Sequence, residues 1–150
     1  MSKVAIVTDS TVTLPDEYVK KYDIHVAPQI LVWGEETYQD GIDIQPHEFY
    51  NILKTARQMP TTSQVPVVLL KDLYSQLLDS GHEVLSIFIS SQLSGTMQSA
   101  IQAKAMFPAA PIELIDSQTT SMAMGFHVLA AARAAEEGAS LAECKAIAEK

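Results

Sequence analysis

The chain has 150 residues, 47% hydrophobic and 19% charged, with a formal net charge of −8. This length suits one domain whose core buries about 70% of the unfolded chain's surface, and the composition excludes a disordered chain. Its ten Lys and Arg residues are scattered, with only Lys20-Lys21 adjacent, which excludes the basic face of a nucleic-acid binder and opposes docking on anionic lipid.

Lys3 to Thr8 is a short apolar run rich in β-branched residues, the pattern of a strand buried on both faces. Asp9-Ser10-Thr11 follows as a polar loop. Pro15 opens a helix with Asp16 and Glu17 in its first turn, where the helix dipole favours acids. Ile24 to Trp33 reads as one strand region interrupted by Pro28, the mark of an edge or a bulge. Gly34 to Asp43 reads as irregular and acidic. Pro46 starts a helix carrying Phe49, Ile52, Leu53 and Ala56 at helical spacing. Met59 to Pro66 is a loop bracketed by prolines, and Pro66 opens a helix with Leu69, Leu70, Leu73, Tyr74, Leu77 and Leu78 on its apolar side. Gly81 ends that helix.

Val84 to Ile89 reads as a strand, followed by the polar loop Ser90 to Thr96 and a helix over Met97 to Phe107 that stops before Pro108. Ile112 to Ile115 is a further strand, ending at Asp116-Ser117. A long helix runs from about Ser121 to Glu137 and closes at Gly138. Ser140 and Glu143 have capping-box spacing and open a last helix to Lys150. Alternating strands and helices predict an α/β fold: a mostly parallel sheet with helices on both faces. The start of the chain runs straight into a strand pattern, so no signal peptide is expected. No apolar run reaches transmembrane length. A cytoplasmic protein without stable membrane insertion is the expectation. The single cysteine, Cys144, forms no internal disulfide and belongs to no metal motif; in its alanine-rich helix it reads as a small, half-buried side chain.

In parallel sheets, ligands bind beyond the carboxyl ends of the strands. Asp9-Ser10-Thr11, Ser90 to Thr96, and Asp116-Ser117 fall there, and Thr61-Thr62-Ser63-Gln64 precedes a helix. All four segments are rich in hydroxyls and hold no Lys or Arg. Ser94-Gly95-Thr96 leads into a helix whose free amides and positive dipole end suit an anion, and Gly95 permits close approach of a ligand. A carboxylate removed from water needs several donors, and hydroxyls with helix-end amides supply them. Plainer readings stand beside these. Ser94, Thr96 and the Thr61 to Ser63 run also suit helix caps, and Asp9 and Asp116 suit strand-end turns. Ser10 and Ser117 are marked only by position. A serine hydrolase using Ser94 is the enzymatic alternative, although no G-x-S-x-G is present and none of His25, His47, His82 and His127 is placed to activate that serine. A purely structural interaction module is a third reading. Neither G-x-G-x-x-G nor G-x-x-x-x-G-K-[ST] occurs.

These segments, taken in order, resemble the DegV family. Val4-Ala5-Ile6-Val7-Thr8-Asp9-Ser10-Thr11 is similar to its opening, and Gly34-Glu35 through Tyr38-Gln39-Asp40 to its next signature. Pro60-Thr61-Thr62-Ser63-Gln64 resembles its threonine loop, and Ser90-Ser91-Gln92-Leu93-Ser94-Gly95-Thr96-Met97-Gln98-Ser99-Ala100 its most distinctive stretch. Ile115-Asp116-Ser117 and the Ser121-Met122-Ala123-Met124-Gly125 helix start also agree. The resemblance covers essentially the whole chain and implies that residues 1–150 form a DegV-like N-terminal α/β domain.

It further implies a two-domain protein holding one long-chain fatty acid, its carboxylate hydrogen-bonded by the N-terminal domain and its tail in an apolar tunnel. The family's carboxylate contacts map by motif onto Thr62 and Ser94, with Ser63 and Gly95 beside them. Ser10, Thr96, Asp116 and Ser117 are secondary polar candidates. Leu31, Ile52, Leu53, Met122 and Phe126 are the nominated apolar walls. No metal, cofactor or catalytic residue is implied; some members present the fatty acid to a separate fatty acid kinase. The family's C-terminal domain is not in this sequence, and its supply in cis or trans is the expectation.

Overall fold

The computed structural model describes residues 3–150. In chain order the elements are β1 (Val4–Asp9), a 3-10 turn (Ser10–Val12), α1 (Asp16–Lys21), β2 (His25–Ala27), β3 (Ile30–Trp33), β4 (Glu36–Gln39), α2 (Pro46–Leu53) and β5 (Thr61–Ser63). They continue with α3 (Val67–Asp79), β6 (Glu83–Phe88), α4 (Thr96–Ala105), β7 (Ile112–Asp116), α5 (Ser121–Glu136) and α6 (Leu141–Ala148).

Four strands form a parallel sheet in the order β2-β1-β6-β7. Alternate residues of the central strands feed two cores, because side chains on a strand point to opposite faces in turn. Val4 and Ile6 of β1 meet Met124, Val128 and Leu129 of α5 and Cys144 of α6 on one face. Ala5 and Val7 meet Leu70 and Tyr74 of α3 and Ala100 and Ala103 of α4 on the other. Helices therefore cover both faces, as the run of β-branched residues requires. The single cysteine is fully buried rather than half-buried, because α6 turns it into the first core.

Three shorter strands form a second, antiparallel sheet in the order β4-β3-β5, which the sequence reading did not contain. The region read as one strand from Ile24 to Trp33 is two strands in two different sheets. Pro28 has no N–H to extend the β2 ladder, so the chain leaves the parallel sheet there and resumes pairing at Ile30. The stretch read as irregular contains β4. A two-residue loop, Gly34-Glu35, joins β3 to β4 with Trp33 opposite Glu36, and Gly34 supplies the positive φ of 65° that so tight a hairpin demands. Thr61 to Ser63, read as loop, is strand β5, with Thr62 opposite Leu31. Three exposed hydroxyl residues show no apolar alternation, so nothing local marked them as a strand.

The chain leaves β1 toward β2 on one side and returns through β6 toward β7 on the other. The order of the parallel sheet thus reverses between β1 and β6. Their carboxyl ends form the crevice in which sheets of this kind hold ligands.

Candidate functional site

Two aspartates lock the loops at this crevice. Asp9, fully buried, accepts hydrogen bonds from the Thr11 amide (2.9 Å) and hydroxyl (2.6 Å) on Oδ1, and from the Ile89 amide (2.8 Å) on Oδ2. It bridges the ends of β1 and β6 and sets the crevice width. Asp116 accepts from the Ser91 amide at 3.3 Å and the Gln118 amide at 3.0 Å, tying the loop after β6 to the end of β7. Partial burial pushes the Asp116 carboxyl up, but hydrogen bonds from Ser91 and Gln118 outweigh it and hold the group below the usual aspartate range.

The loop after β6 turns on the Ser90 carbonyl, which accepts from the Leu93 and Ser94 amides. Gly95 then caps α4. The Ser94 hydroxyl lies 3.0 Å from Thr96 Oγ1 and accepts the Thr96 amide at 3.2 Å. Thr96, fully buried, also accepts from Gln29 Nε2 at 2.9 Å and from the Val65 amide at 3.2 Å. Gln29 follows the Pro28 break, and its own amide donates to Ser10 Oγ at 2.9 Å. One polar chain thus joins both sheets beneath the loop.

Gly95 has an ordinary backbone (φ −79°, ψ 5°), so its value here is space. A Cβ at this position would stand 2.0 Å from Gln64 Oε1. The close approach expected of a ligand is made instead by the Gln64 carboxamide, which packs over Gly95 and donates to Ser99 Oγ at 3.0 Å.

A cleft of about 360 Å³ opens above this chain. Thr62, Ser63 and Gln64 line it from the second sheet, and Leu93, Ser94 and Gly95 from the loop before α4. Thr11 and Ile89 line it from beyond β1 and β6, with Gln29 and Asp40 completing it. Four residues named from the sequence, Thr62, Ser63, Ser94 and Gly95, therefore share one cleft. The other four do not line it. Ser10 and Thr96 take part in the hydrogen bonds beneath it, whereas Asp116 and Ser117 line a separate cleft of about 310 Å³ with His127 and Glu149.

The nominated apolar walls also fall elsewhere. Leu31 is core and Met122 packs against the first core, while Ile52 (46% exposed) and Phe126 (66% exposed) face solvent. None of these, nor Leu53, lines the cleft, whose aliphatic residues are Ile89 and Leu93. The sequence reading missed Gln29 and the cleft position of Asp40. A polar residue directly after Pro28 in an otherwise apolar run was the available signal for Gln29.

Among the described residues, no His, Lys or Arg lines the cleft. His25 lies on β2, its charged form disfavoured first by burial, with Asp23 opposing and His82 adding to the shift. His82 precedes β6 at the amino end of the sheet. His47 is in the first turn of α2, and His127 Nδ1 lies 2.9 Å from the Ala148 carbonyl. Among the described residues, no cluster of His, Cys, Asp and Glu suits a metal ion, and no helix is long and apolar enough to cross a membrane.

A family model described as "Uncharacterised protein, DegV family" matches residues 3–150. A DegV domain-containing protein of Caldanaerobacter subterraneus subsp. tengcongensis is 42% identical over 143 residues, covering 95% of this chain and 51% of its own. The fold superposes on a fatty-acid-binding DegV family protein from Thermus thermophilus with a TM-score of 0.88 at 34% identity, covering 98% of this chain and 52% of that one. It superposes equally (TM-score 0.88) on a stearic-acid-binding protein from Eubacterium ventriosum at 30% identity, covering 99% of this chain and 52% of that one. The chain spans about half the length of the curated relatives it matches. With a family model that matches residues 3–150 and a fold shared with these proteins, the chain belongs to the DegV family.

Proposed function

We propose that this chain is the carboxylate-binding part of a long-chain fatty acid binding protein. One observation carries the reading. Thr62-Ser63 on β5 and Ser94-Gly95 in the loop before α4, distant in sequence, line a single cleft that is rich in hydroxyls and free of basic side chains among the described residues. Thr62 and Ser94 are the carboxylate donors, with Ser63 and Gly95 beside them. The free first-turn amides of α4 add the favourable end of its dipole. Solved relatives of the same fold that bind fatty acid support the assignment.

In this reading Ser94 is a hydrogen-bond donor and not a nucleophile, and no metal or cofactor takes part. The protein acts in the cytoplasm, where a fatty acid kinase is the partner that receives the bound carboxylate. A C-terminal domain supplied in cis or trans covers the acyl tail.

The test is native mass spectrometry of the chain purified from a bacterial host, followed by palmitate binding after delipidation. Replacing Thr62 and Ser94 together by Ala is expected to weaken palmitate retention by at least about tenfold, the loss of two charge-assisted hydrogen bonds. Unchanged retention, or labelling of Ser94 by a fluorophosphonate probe, would overturn the reading.

A further inference from the structure

The hydrogen bonds beneath the cleft leave little freedom in where their protons point. A hydroxyl oxygen has two lone pairs and one hydrogen. Thr96 Oγ1 accepts from Gln29 Nε2 at 2.9 Å and from the Val65 amide at 3.2 Å, which occupies both of its lone pairs. Its hydrogen must then be the one in the 3.0 Å contact with Ser94 Oγ. Ser94 Oγ also accepts the Thr96 amide at 3.2 Å, so both of its lone pairs are occupied as well. Among the described residues the Ser94 hydrogen is left with no protein acceptor, on a residue that lines the cleft.

We infer that Gln29 is a positioning residue that acts through Thr96 to fix Ser94 as a hydrogen-bond donor into the cleft, so that the site selects ligands whose head group accepts. This rests on the carboxylate-binding reading above and adds the element that sets its specificity. The control point is the Gln29 carboxamide, which is 6% exposed and reaches Thr96 from the break between the two sheets. With a donor facing Thr96, the protons run outward from Gln29 through Thr96 to Ser94. With an acceptor in its place, Thr96 turns its hydrogen back toward position 29. One lone pair of Thr96 is then vacant for the Ser94 hydrogen, and Ser94 presents a lone pair to the cleft. A carboxylate, which only accepts, meets a donor in the first arrangement and a repelling lone pair in the second.

Gln29→Glu imposes the second arrangement with almost no change in shape. Above about pH 9, the upper end of the range that burial gives a carboxyl, the introduced group is ionised and only accepts. Three ligands with one acyl chain separate the possible causes. Palmitate accepts and is charged, methyl palmitate accepts and is neutral, and hexadecanol both donates and accepts. The expected result for Q29E is a loss of about tenfold in affinity for palmitate and for methyl palmitate, with hexadecanol held within about twofold. Loss of palmitate binding alone would reduce the effect to charge repulsion. Equal loss of all three would reduce it to packing. Either result overturns the inference.

A neutron structure of the deuterated wild-type chain reads the same point without any ligand. Deuterium on Ser94 Oγ directed into the cleft, and the ND₂ group of Gln29 toward Thr96, are the expected densities. A Ser94 deuterium directed at Thr96 overturns the inference. If the wild-type chain holds none of the three ligands, the fatty acid reading fails, and the neutron density still decides the direction of the hydrogen bonds.

Discussion

Gly95 lines the cleft beside Ser94, and its packing against Gln64 is simple to test. Its backbone suits any residue, yet a methyl there would stand 2.0 Å from Gln64 Oε1. Gly95→Ala is expected to swing the Gln64 carboxamide away from Ser99, costing about 1 kcal/mol in urea unfolding and narrowing the cleft. A crystal structure of the variant shows whether Gln64 has moved. Asp40 acts in the opposite sense to the hydroxyls. It lines the same cleft as Ser94, so among the described residues an entering carboxylate meets one acid and no base. Asp40→Asn removes that repulsion and is expected to tighten palmitate several-fold at low salt, with the gain shrinking as ionic strength rises. Isothermal titration at two salt concentrations checks both parts.

Between elements, polar ties fix the edges of the sheet while apolar contacts fill the layers. Lys145 of α6 donates to Glu113 of β7 at 2.6 Å. The Lys145 hydrogen bond lowers the Glu113 pKa, and the same bond raises that of Lys145. The signs define a window. The depressed carboxyl contributes stability above its ordinary value near 4.5 and loses it as pH falls through the folded value. The raised ammonium contributes below its ordinary value near 10.5 and loses it as pH rises through the folded value. Both side chains are more than 30% exposed, so the tie is worth ~1 kcal/mol or less. Glu113→Gln is therefore expected to lower urea-unfolding stability modestly at pH 7 and to converge with wild type as pH falls through the folded value of Glu113. A difference that does not shrink as pH falls would mean that the contact is packing rather than charge.

Across the whole molecule, the two cores account for the parallel sheet, and the second sheet carries Thr62 to the crevice. The cleft itself is polar, with Ile89 and Leu93 as its aliphatic lining. Burying a methylene is worth about 0.8 kcal/mol, or roughly fourfold in affinity. A series of saturated acids from eight to eighteen carbons is therefore expected to gain affinity only over the first few carbons on this chain and then to level off. A steady fourfold gain per carbon to the end of the series would require an apolar tunnel within these 150 residues and would contradict the cleft described here.

The α/β class, the four parallel strands and the helices on both faces were legible in the sequence. Each is written locally, in apolar runs such as Val4 to Val7, in proline and glycine boundaries, and in the Ser140–Glu143 capping box that the structure contains. The hydroxyl loops at the crevice were legible as well, because strand ends in a parallel sheet fall on one edge. The second sheet was not. Thr61 to Ser63 become a strand only by pairing with β3, and an exposed polar strand carries no apolar period of its own. The polar chain from Gln29 through Thr96 to Ser94 was equally invisible, since it joins residues from three separate segments at hydrogen-bond distance. Sequence marked Thr62, Ser63, Ser94 and Gly95 at the crevice, but not Gln29 or Asp40. Tertiary structure alone decided what surrounds them, because the hydrogen bonds that join Gln29, Thr96 and Ser94 link segments far apart in the chain.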